Sequence, residues 1–484
     1  MADQLEKLDC LLISPFRFYG NTDNIWAEID SNFPPLGLAS IAGYIRSQNF
    51  SVQIIDSEIV APATTLFEKY FLDNYVKKFL EIRLIGITAT TGIIKKAYQI
   101  GQICRKYFPG SLIVFGGVHP TFMAAEVIRQ PFIDVVVVGE GEITTAELLA
   151  GKNFNEIDGI VYKTKSQAGE KIITNQPRRR ILDLDSLPRP AYDLLPIEKY
   201  RAAKGSYKRL PAMSMMTSRG CPGKCTFCSK TLGKVMVFKS AAKIFEEIKY
   251  LIDNYGIKQI IFYDDTFTVF KANVIKLCNL LLENKIDLTW TCFARVDYID
   301  LAMLQKMKQA GCHQIMYGVE NINEQVLKNI KKEINLDQIK NAVNWTKKAG
   351  IECRLAFMVG NPGDNLEVIK ENIKFIKQLD PDLLVVNITT PFPGTEMYKW
   401  ADEKGLLLTG DWDDYNWAKP VMKLENLSVE EIKNLYKLMY RSFYFRPKYL
   451  LKKLLSIRSW NDLAVLFGGF RALWSFMFSS KSKK

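Results

Sequence analysis

Two blocks of the 484-residue chain alternate short apolar strands with helical patterns, which places the fold in the α/β class. The first block predicts five strands, at Leu11–Ser14, Val52–Asp56, Leu84–Ala89, Leu112–Gly116 and Val135–Val138. Several of them are apolar throughout, as strands covered by helices on both faces are. The sequence therefore predicts a parallel, doubly wound (Rossmann-like) sheet, whose ligands bind beyond the carboxyl ends of its strands.

The second block predicts six further strands, at Ala212–Thr217, Gln259–Tyr263, Leu288–Phe293, Gln314–Val319, Arg354–Val359 and Leu383–Ile388. Six such units are typical of a partial (β/α)6 barrel. In barrels of this kind the chemistry lies on the loops that follow the strands. We expect the functional residues of the second block on those loops.

The chain is predicted to contain four units. A connector separates the two blocks, with a hairpin at Gly159–Tyr162, a basic run at Arg178–Arg180 and the proline-punctuated Leu187–Pro190. The predicted units are the first sheet at 1–151, the connector at 152–208, the barrel at 209–425 and a helical, basic C-terminal region at 426–484.

Composition and cysteine usage exclude several classes of protein. With 48% hydrophobic and 24% charged residues the chain is neither disordered nor collagen-like. Its nine cysteines are odd in number and no signal-peptide pattern opens it, so a disulfide framework and secretion are not expected. The predicted location is the cytoplasm.

The net charge of +13 is concentrated at the C-terminus, where Arg446–Lys484 has nine basic residues and one acidic residue. The apolar segments Leu463–Phe470 and Ala472–Phe478 are too short to span a membrane. The tail therefore predicts either a peripheral contact with the inner face of the membrane or a terminal helix docked on the body. No nucleic-acid-binding motif is recognisable, so nucleic acid is not an expected partner.

A cysteine cluster follows the first strand of the second block, in the arrangement Cys221-x3-Cys225-x2-Cys228. Three thiolates can converge there. Zinc would need a fourth ligand, for which His119 or His313 would have to approach in space. An iron–sulfur cluster held by three cysteines would leave one iron open to substrate, and the barrel context favours this interpretation.

With Phe227 before its last cysteine, this motif resembles that of the radical S-adenosylmethionine enzymes. The resemblance implies a [4Fe-4S] cluster on Cys221, Cys225 and Cys228 whose open iron chelates S-adenosylmethionine. One electron from the cluster then cleaves that ligand to methionine and a 5′-deoxyadenosyl radical, which abstracts hydrogen from the substrate. An electron donor such as flavodoxin or ferredoxin is implied as a partner.

The resemblance also implies a pocket for S-adenosylmethionine on the later strand ends, formed by Asp264, Asp265, Arg295, Glu320 and the turn Gly360–Gly363. Asp264 or Glu320 would accept from the ligand ammonium or ribose hydroxyls, and Arg295 would pair with its carboxylate. The alternative for each residue is a strand-end salt bridge or turn. Tyr263-Asp-Asp265 stands where many relatives carry Gly-Gly-Glu.

The first block resembles the cobalamin-binding domain that precedes the barrel in one subgroup of this family, through Pro34–Leu38, Gly116–Pro120 and Gly139–Glu142. With Pro391–Glu396 the resemblance covers about residues 8–440. It implies a cobalamin site with the following contacts: Thr90, Gly116, Gly117, His119, Gly139, Glu140 and Gly141. Asp-x-His-x-x-Gly does not occur, so no protein histidine is expected below the cobalt; His119 either touches the corrin or packs in the sheet edge.

Three functions remain open. The first is cobalamin-dependent methylation of an unactivated carbon in a small-molecule, lipid or tetrapyrrole substrate. The second is a radical oxidative cyclisation or rearrangement, as in the anaerobic magnesium-protoporphyrin monomethyl ester cyclases, and the third is a cobalamin-binding sensor without catalysis. The aromatic residues Trp412, Tyr415 and Trp417 either cover the substrate or belong to the core.

Overall fold

The structure is a computed structural model that describes residues 6–17, 31–166, 169–203 and 205–455. The two apolar segments of the tail, and with them the choice between membrane contact and a docked helix, lie outside the described residues.

The first sheet has seven strands: β1 (Glu6–Ser14), β2 (Val52–Asp56), β3 (Phe79–Thr88), β4 (Leu112–Gly116), β5 (Val135–Val137), β6 (Ile160–Ser166) and β7 (Gly169–Thr174). Their order is β2-β1-β3-β4-β5-β6-β7, and the first five pair in parallel, which confirms the predicted sheet. Leu11 packs into the core on one face of the sheet and Leu12 into the core on the other. This two-sided burial explains why β1 contains a continuous apolar run.

The helices of the first domain are Leu36–Ser47, Ser57–Val60, Thr64–Phe71, Ile94–Tyr107, Val118–Phe122, Ala124–Val127 and Glu142–Leu149.

An antiparallel hairpin extends the first sheet into the predicted connector. β6 pairs with β5 and β7 pairs with β6, both antiparallel. Beyond the hairpin, the basic run pins the connector: Arg178 pairs with Glu147, and Arg180 donates to the carbonyl oxygen of Val235 at 2.5 Å. The first sheet thus includes part of the predicted connector at 152–208. The unit boundaries at 151, 208 and 425 stay predictions.

The second domain contains eight strands: β8 (Ala212–Met215), β9 (Ser218–Arg219), β10 (Val237–Phe238), β11 (Gln259–Phe262), β12 (Thr289–Ala294), β13 (Cys312–Glu320), β14 (Glu352–Val359) and β15 (Leu383–Ile388). Six of them form one parallel sheet in the order β8-β11-β12-β13-β14-β15, which confirms the predicted six-stranded partial barrel. β9 and β10 form a separate antiparallel pair.

The helices of the second domain are Ala241–Tyr255, Lys271–Glu283, Leu301–Gln309, Glu324–Asn329, Leu336–Lys348, Leu366–Leu379, Glu396–Glu403, Val429–Tyr444 and Pro447–Leu455. Polar side chains cap the starts of seven of these nine helices, as Asn335 and Ser428 do by accepting from the N–H three residues on. No helix in the described ranges combines the length and apolar character needed to cross a bilayer.

The free edge of β15 is covered by two tyrosines of the helix Val429–Tyr444. The hydroxyl of Tyr440 accepts from the N–H of Val386 at 3.0 Å and donates to its carbonyl oxygen at 2.9 Å. Tyr444 does the same for Leu384, at 3.0 and 2.7 Å. Because the two tyrosines are one helical turn apart, their hydroxyls match alternate residues of the strand and satisfy the backbone groups that a further strand would pair.

Candidate active site between the two sheets

The three motif cysteines lie in one loop, closed at its base because β9 and β10 pair antiparallel. At the start of the loop Gly220 has a φ of 92°, and a Cβ there would lie 2.5 Å from the carbonyl oxygen of Val235. Glycine is therefore required where the chain turns toward Cys221. The loop follows β8 at the carboxyl end of the barrel, where barrel chemistry is expected.

Two of the motif sulfurs flank the same glycine. A Cβ on Gly223 would lie 3.4 Å from Sγ of Cys221 and 3.9 Å from Sγ of Cys225. A hydrogen bond from the Cys228 thiol lowers the pKa of Cys225 to about 6, and the positive charge of Lys332 acts in the same direction. The thiolate, which is the form that ligates metals, is therefore favoured at Cys225.

The loop carries the three predicted sulfur ligands, and the histidines considered as a fourth ligand have other partners in the described structure. His119 and His313, the candidates for a zinc site, hydrogen-bond to Thr91 and Gln259 at 3.3 and 3.2 Å instead. Within the described residues no three His, Cys, Asp or Glu side chains converge on a single-ion site. The donor set fits an iron–sulfur cluster with one open iron better than tetrahedral zinc.

The aspartates that follow β11 have different environments. Asp264 is 0% exposed, and its Oδ1 accepts from the N–H and hydroxyl of Thr217 at 2.9 and 3.0 Å and from the hydroxyl of Ser218. Burial raises the pKa of Asp264 to about 6. Asp264 thus anchors the residues that lead into the cysteine loop, whereas Asp265 is exposed and lines the cavity described below. Of the two, Asp265 is the one accessible to a ligand.

Arg295 lies beneath the cysteine loop and is paired within the protein. Its Nε and Nη2 each lie 3.0 Å from the carboxylate of Asp297, and Nη2 also donates to the carbonyl oxygen of Lys332 at 3.1 Å. Nη1 lies 3.3 Å from where a Cβ on Gly223 would be. The sequence predicts that Arg295 forms a bidentate ion pair with the ligand carboxylate. In the structure Asp297 occupies one edge of the guanidinium, and only Nη1 is directed at the cysteine loop.

Glu320 forms a buried ion pair with Lys332, with Oε1 and Nζ 3.0 Å apart. Gly318 makes room for this pair, since a Cβ there would lie 2.6 Å from Oε1 of Glu320. Burial acts to lower the pKa of Lys332, but Glu320 and the sulfurs of Cys225 and Cys228 outweigh it and raise the pKa. Lys332 is therefore a fixed cation near the cysteines. Sequence reasoning missed it because charged neighbours give it the pattern of an exposed turn.

The turn Gly360–Gly363 is held by the protein itself. Oδ2 of Asp364 accepts from the N–H groups of Gly360 and Asn361 at 2.9 and 2.8 Å, and Oδ1 accepts from Asn321 at 2.8 Å. Burial raises the pKa of Asp364 to about 6. This network fixes the carboxyl end of β14.

A cavity of about 610 Å³ separates the carboxyl edge of the first sheet from the cysteine loop. Its wall on the first sheet includes the predicted residues Thr90, Gly116, Gly117, Gly139, Glu140 and Gly141. Its wall on the barrel includes Met216, Ser218, Arg219, Ser229, Thr231 and Asp265. The residues on either side of the cysteine segment therefore face the glycine-rich edge across one space.

Glycine shapes the first wall of the cavity. A Cβ on Gly37 or Gly139 would meet no described heavy atom within 4 Å, so both backbones lie open to the cavity. Gly117 has a φ of 98°, and a Cβ there would lie 2.6 Å from Oγ1 of Thr88. A wall in which the backbone of several glycines lies open fits a large planar ligand such as the corrin of cobalamin.

His119 is buried beside the cavity rather than in its lining. It lies in the short helix Val118–Phe122, and its ring packs edge-on against Trp412 at 5.1 Å. Burial lowers the pKa of His119 to about 4, so the ring is neutral. Trp412 and Tyr415 are also buried in the core, whereas Trp417 is exposed.

Arg219, which the sequence did not single out, joins the two walls of the cavity. Its Nη1 lies 2.7 Å from Glu140 and its Nη2 lies 2.5 Å from Glu142. Glu140 also accepts from the N–H of Ile181 at 2.7 Å. Glu140 thus acts in the structure as an anchor between the domains, next to the predicted ligand contacts.

Comparison with known proteins agrees with this geometry. Residues 215–376 match the Radical SAM superfamily and residues 24–149 match the B12 binding domain. The chain is 38% identical to an uncharacterized methyltransferase of Pyrococcus horikoshii, over 87% of this chain and 89% of that protein. It is 27% identical to an anaerobic magnesium-protoporphyrin IX monomethyl ester cyclase of Rubrivivax gelatinosus, over 88% of this chain and 76% of that protein.

Solved structures share the fold. The radical S-adenosylmethionine methyltransferase TsrM from Kitasatospora setae, with cobalamin and a [4Fe-4S] cluster bound, superposes with a TM-score of 0.72 at 16% identity over 97% of this chain and 99% of that chain. The cobalamin-dependent radical enzyme OxsB, with aqua-cobalamin and S-adenosylmethionine bound, superposes with a TM-score of 0.73. The sequence identity is 19%, and the match covers 97% of this chain and 72% of that chain.

The chain belongs to the cobalamin-binding radical S-adenosylmethionine enzymes. The predicted cofactors, a [4Fe-4S] cluster, S-adenosylmethionine and cobalamin, are confirmed as those of its family.

Proposed function

We propose that this protein methylates an unactivated carbon of a small-molecule substrate. The observation that carries the proposal is the shared cavity, whose two walls are the glycine-rich sheet edge and the segments that flank the three cysteines. Methyl transfer to such a carbon requires a bound cobalamin as methyl carrier and a radical generated at the cluster, and one space serves both. The similarity to the uncharacterized methyltransferase of Pyrococcus horikoshii supports methyl transfer.

The chain's own residues have distinct roles in this proposal. Cys221, Cys225 and Cys228 hold the cluster. Asp265 contacts the nucleotide ligand from the segment that follows β11. Asp264 holds Ser218 ahead of the cysteine loop, whereas Arg295 and Glu320 hold Lys332 near the cysteines. The wall that faces the corrin is formed by Thr90, Gly116, Gly117, Gly139 and Gly141. Glu140 holds Arg219, and His119 keeps the helix Val118–Phe122 in place by packing against Trp412.

The second candidate function is an oxidative cyclisation, supported by the similarity to the Rubrivivax gelatinosus cyclase over most of both chains. A non-catalytic cobalamin sensor is the third. The intact set of three cysteines supports catalysis over that alternative.

The test is an anaerobic assay of protein reconstituted with cluster and cobalamin, supplied with reductant, a metabolite extract and S-adenosylmethionine that carries a CH3 or CD3 methyl group. We expect release of 5′-deoxyadenosine and a product that gains one methylene unit and whose mass differs between the two assays by three deuterium substitutions. A product without the label that has lost hydrogen or gained oxygen would favour the cyclase. Absence of 5′-deoxyadenosine from cluster-loaded protein would favour the sensor.

Partners and location complete the proposal. The electron donor is a small one-electron carrier such as flavodoxin or ferredoxin. A cytoplasmic location is supported by the nine cysteines, which are all free thiols.

Peripheral membrane contact through the basic tail is tested by truncation after Arg446, which should lower partition into anionic vesicles. Unchanged partition would favour a docked helix.

A further inference from the structure

The inward face of the barrel is partly open, whereas its outward face is packed. Cys353, Leu355 and Phe357 of β14 are each 0% exposed and belong to the core beneath the helices. Side chains alternate along a strand, so Arg354 projects to the opposite face, into the barrel interior. It is partly exposed there. A guanidinium is therefore held inside the barrel.

Arg354 shares one inward-facing layer with apolar and aromatic side chains. The strand register places Arg354 beside Met316, and Met316 beside Phe293. The ring of Phe293 lies 5.2 Å from that of Tyr263. All four side chains are partly exposed, unlike those of the outward face. The layer thus presents apolar and aromatic side chains and the guanidinium of Arg354 to the barrel interior.

Arg354 makes no hydrogen bond or ion pair within the described ranges, and its Nε is buried. Two other inward-facing atoms, Oγ of Ser214 and Oδ1 of Asn387, are also buried and unpaired among the described residues. Folded proteins pair nearly all buried polar atoms, so three unpaired atoms on one face of the sheet stand out. The interior therefore has the chemistry of a binding site for a polar, anionic group.

This layer adjoins the cofactor cavity. Met216, the inward-facing residue after β8, lines the cavity. Phe33 also lines it, and its ring packs edge-on against Tyr263 at 5.0 Å. Burial raises the pKa of Tyr263, while the guanidinium groups of Arg354 and Arg17 act to lower it, which places both cations near the phenol. A ligand held at Arg354 would thus extend toward the space between the two cofactors.

We infer that Arg354 binds an oxyanion of the substrate, a carboxylate or a phosphate, and that the substrate is an anion with an apolar body. The planar fork of a guanidinium matches either oxyanion, and the surrounding Met316, Phe293 and Tyr263 match an apolar body. The inference rests on the proposed function, since it takes the barrel interior as the substrate site. Arg354 is assigned as a specificity-determining residue.

The first test measures anion binding by isothermal titration calorimetry of the protein loaded with cluster, cobalamin and S-adenosylmethionine. The probes are malonate for a carboxylate and inorganic phosphate for a phosphate, and the stronger of the two identifies the oxyanion. We expect saturable binding at one site, weakened roughly ten- to a hundredfold in Arg354→Gln and less in Arg354→Lys. Arg129→Gln, which removes an exposed arginine of the first domain, is the matched control and should bind as the wild type does.

Failure of the inference is distinguishable from failure of the proposed function. Equal binding by wild type and Arg354→Gln, or no binding by the wild type, would overturn the inference. So would loss of S-adenosylmethionine binding in Arg354→Gln, since the guanidinium would then serve that ligand. The CD3-labelled product provides a second test without a variant: we expect an anion retained by an anion exchanger at neutral pH, and a neutral or cationic product would overturn the inference while leaving methyl transfer in place.

Discussion

Nη2 of Arg219 lies 2.5 Å from Oε1 of Glu142, and this ion pair joins the residues before Cys221 to the segment that follows β5. The same guanidinium reaches Glu140 at 2.7 Å, and all three side chains are largely buried. One arginine therefore helps to set the separation of the two walls of the cofactor cavity.

Replacement of Arg219 should uncouple the two walls. Arg219→Met leaves two buried carboxylates without their cation, which typically costs about 3–5 kcal/mol, and Arg219→Lys cannot reach both carboxylates with one ammonium. We expect a lower midpoint in urea unfolding and a smaller yield of methylated product per 5′-deoxyadenosine. Arg209→Met, which breaks an exposed pair with Asp287, is the control and should cost less than about 1 kcal/mol. An unchanged product ratio in Arg219→Met would contradict the coupling.

Cys225→Ala should abolish both the visible absorption of the cluster and the cleavage of S-adenosylmethionine. Two remaining thiolates are too few protein ligands to hold the cluster. The readouts are iron content, the optical spectrum and 5′-deoxyadenosine release. Cys104→Ala, at a buried cysteine in the core of the first domain, should retain all three. A Cys225→Ala protein with a normal spectrum would reject the ligand assignment.

Lys332→Met should make the cluster harder to reduce. Removal of one buried positive charge near the thiolates disfavours the added electron by on the order of 1 kcal/mol, or about 40 mV for a one-electron couple. Spectroelectrochemical titration measures the shift. Lys331→Met removes the preceding lysine, whose pair with Glu396 is exposed, and should leave the potential nearly unchanged. Equal shifts in the two variants would show that the buried position has no special effect.

Tyr440→Phe should destabilise the barrel edge. Loss of the hydroxyl leaves both backbone groups of Val386 unpaired, at a cost of about 1–3 kcal/mol. Urea unfolding followed by circular dichroism gives the change in free energy. Tyr44→Phe is the matched control, since the Tyr44 hydroxyl makes no hydrogen bond within the described part of the chain. Similar losses in the two variants would count against the edge contact.

Asp56 should make stability fall as the pH rises from about 4 to about 6. Burial raises the pKa of Asp56 from 3.8 to about 6, although Tyr200 donates to its Oδ2 at 2.8 Å. The folded state therefore holds this proton more tightly than the unfolded state, and the contribution is lost as the pH passes the folded pKa. Over that range the wild type should lose on the order of 3 kcal/mol more than Asp56→Asn.

Urea unfolding at a series of pH values checks this expectation, and Asp253→Asn, at an exposed carboxylate, controls for the loss of one charge. Parallel curves for the wild type and Asp56→Asn would refute it.

The periodicity of the sequence is sufficient to predict the two sheets, because strands such as β3 and β14 are long, mostly apolar and flanked by helical patterns. The hairpin of β6 and β7 was not recognised as part of the first sheet. Its second strand is largely exposed, so its sequence carries no pattern of burial.

The site was predictable in position but not in pairing. Asp264 lies where a strand end is expected, but its partners Thr217 and Ser218 are brought near only by the tertiary structure. Arg295 pairs with the nearby Asp297, a contact that its position in the sequence did not distinguish from a contact with a ligand. Arg219 and Glu140 are 79 residues apart, and neither belongs to a local motif that links them. Local patterns identify where a charge lies along the chain, whereas its partner depends on how the two domains pack.

The tyrosine contacts on β15 also bear on assembly. An exposed strand edge offers unpaired N–H and C=O groups to any other chain, and such edges nucleate domain swapping and aggregation. In this barrel the hydroxyls of Tyr440 and Tyr444 already occupy those groups at Val386 and Leu384. The helix Val429–Tyr444 thus prevents the last strand from pairing with a strand of a neighbouring copy. The barrel can therefore remain open on this side without aggregating through its edge.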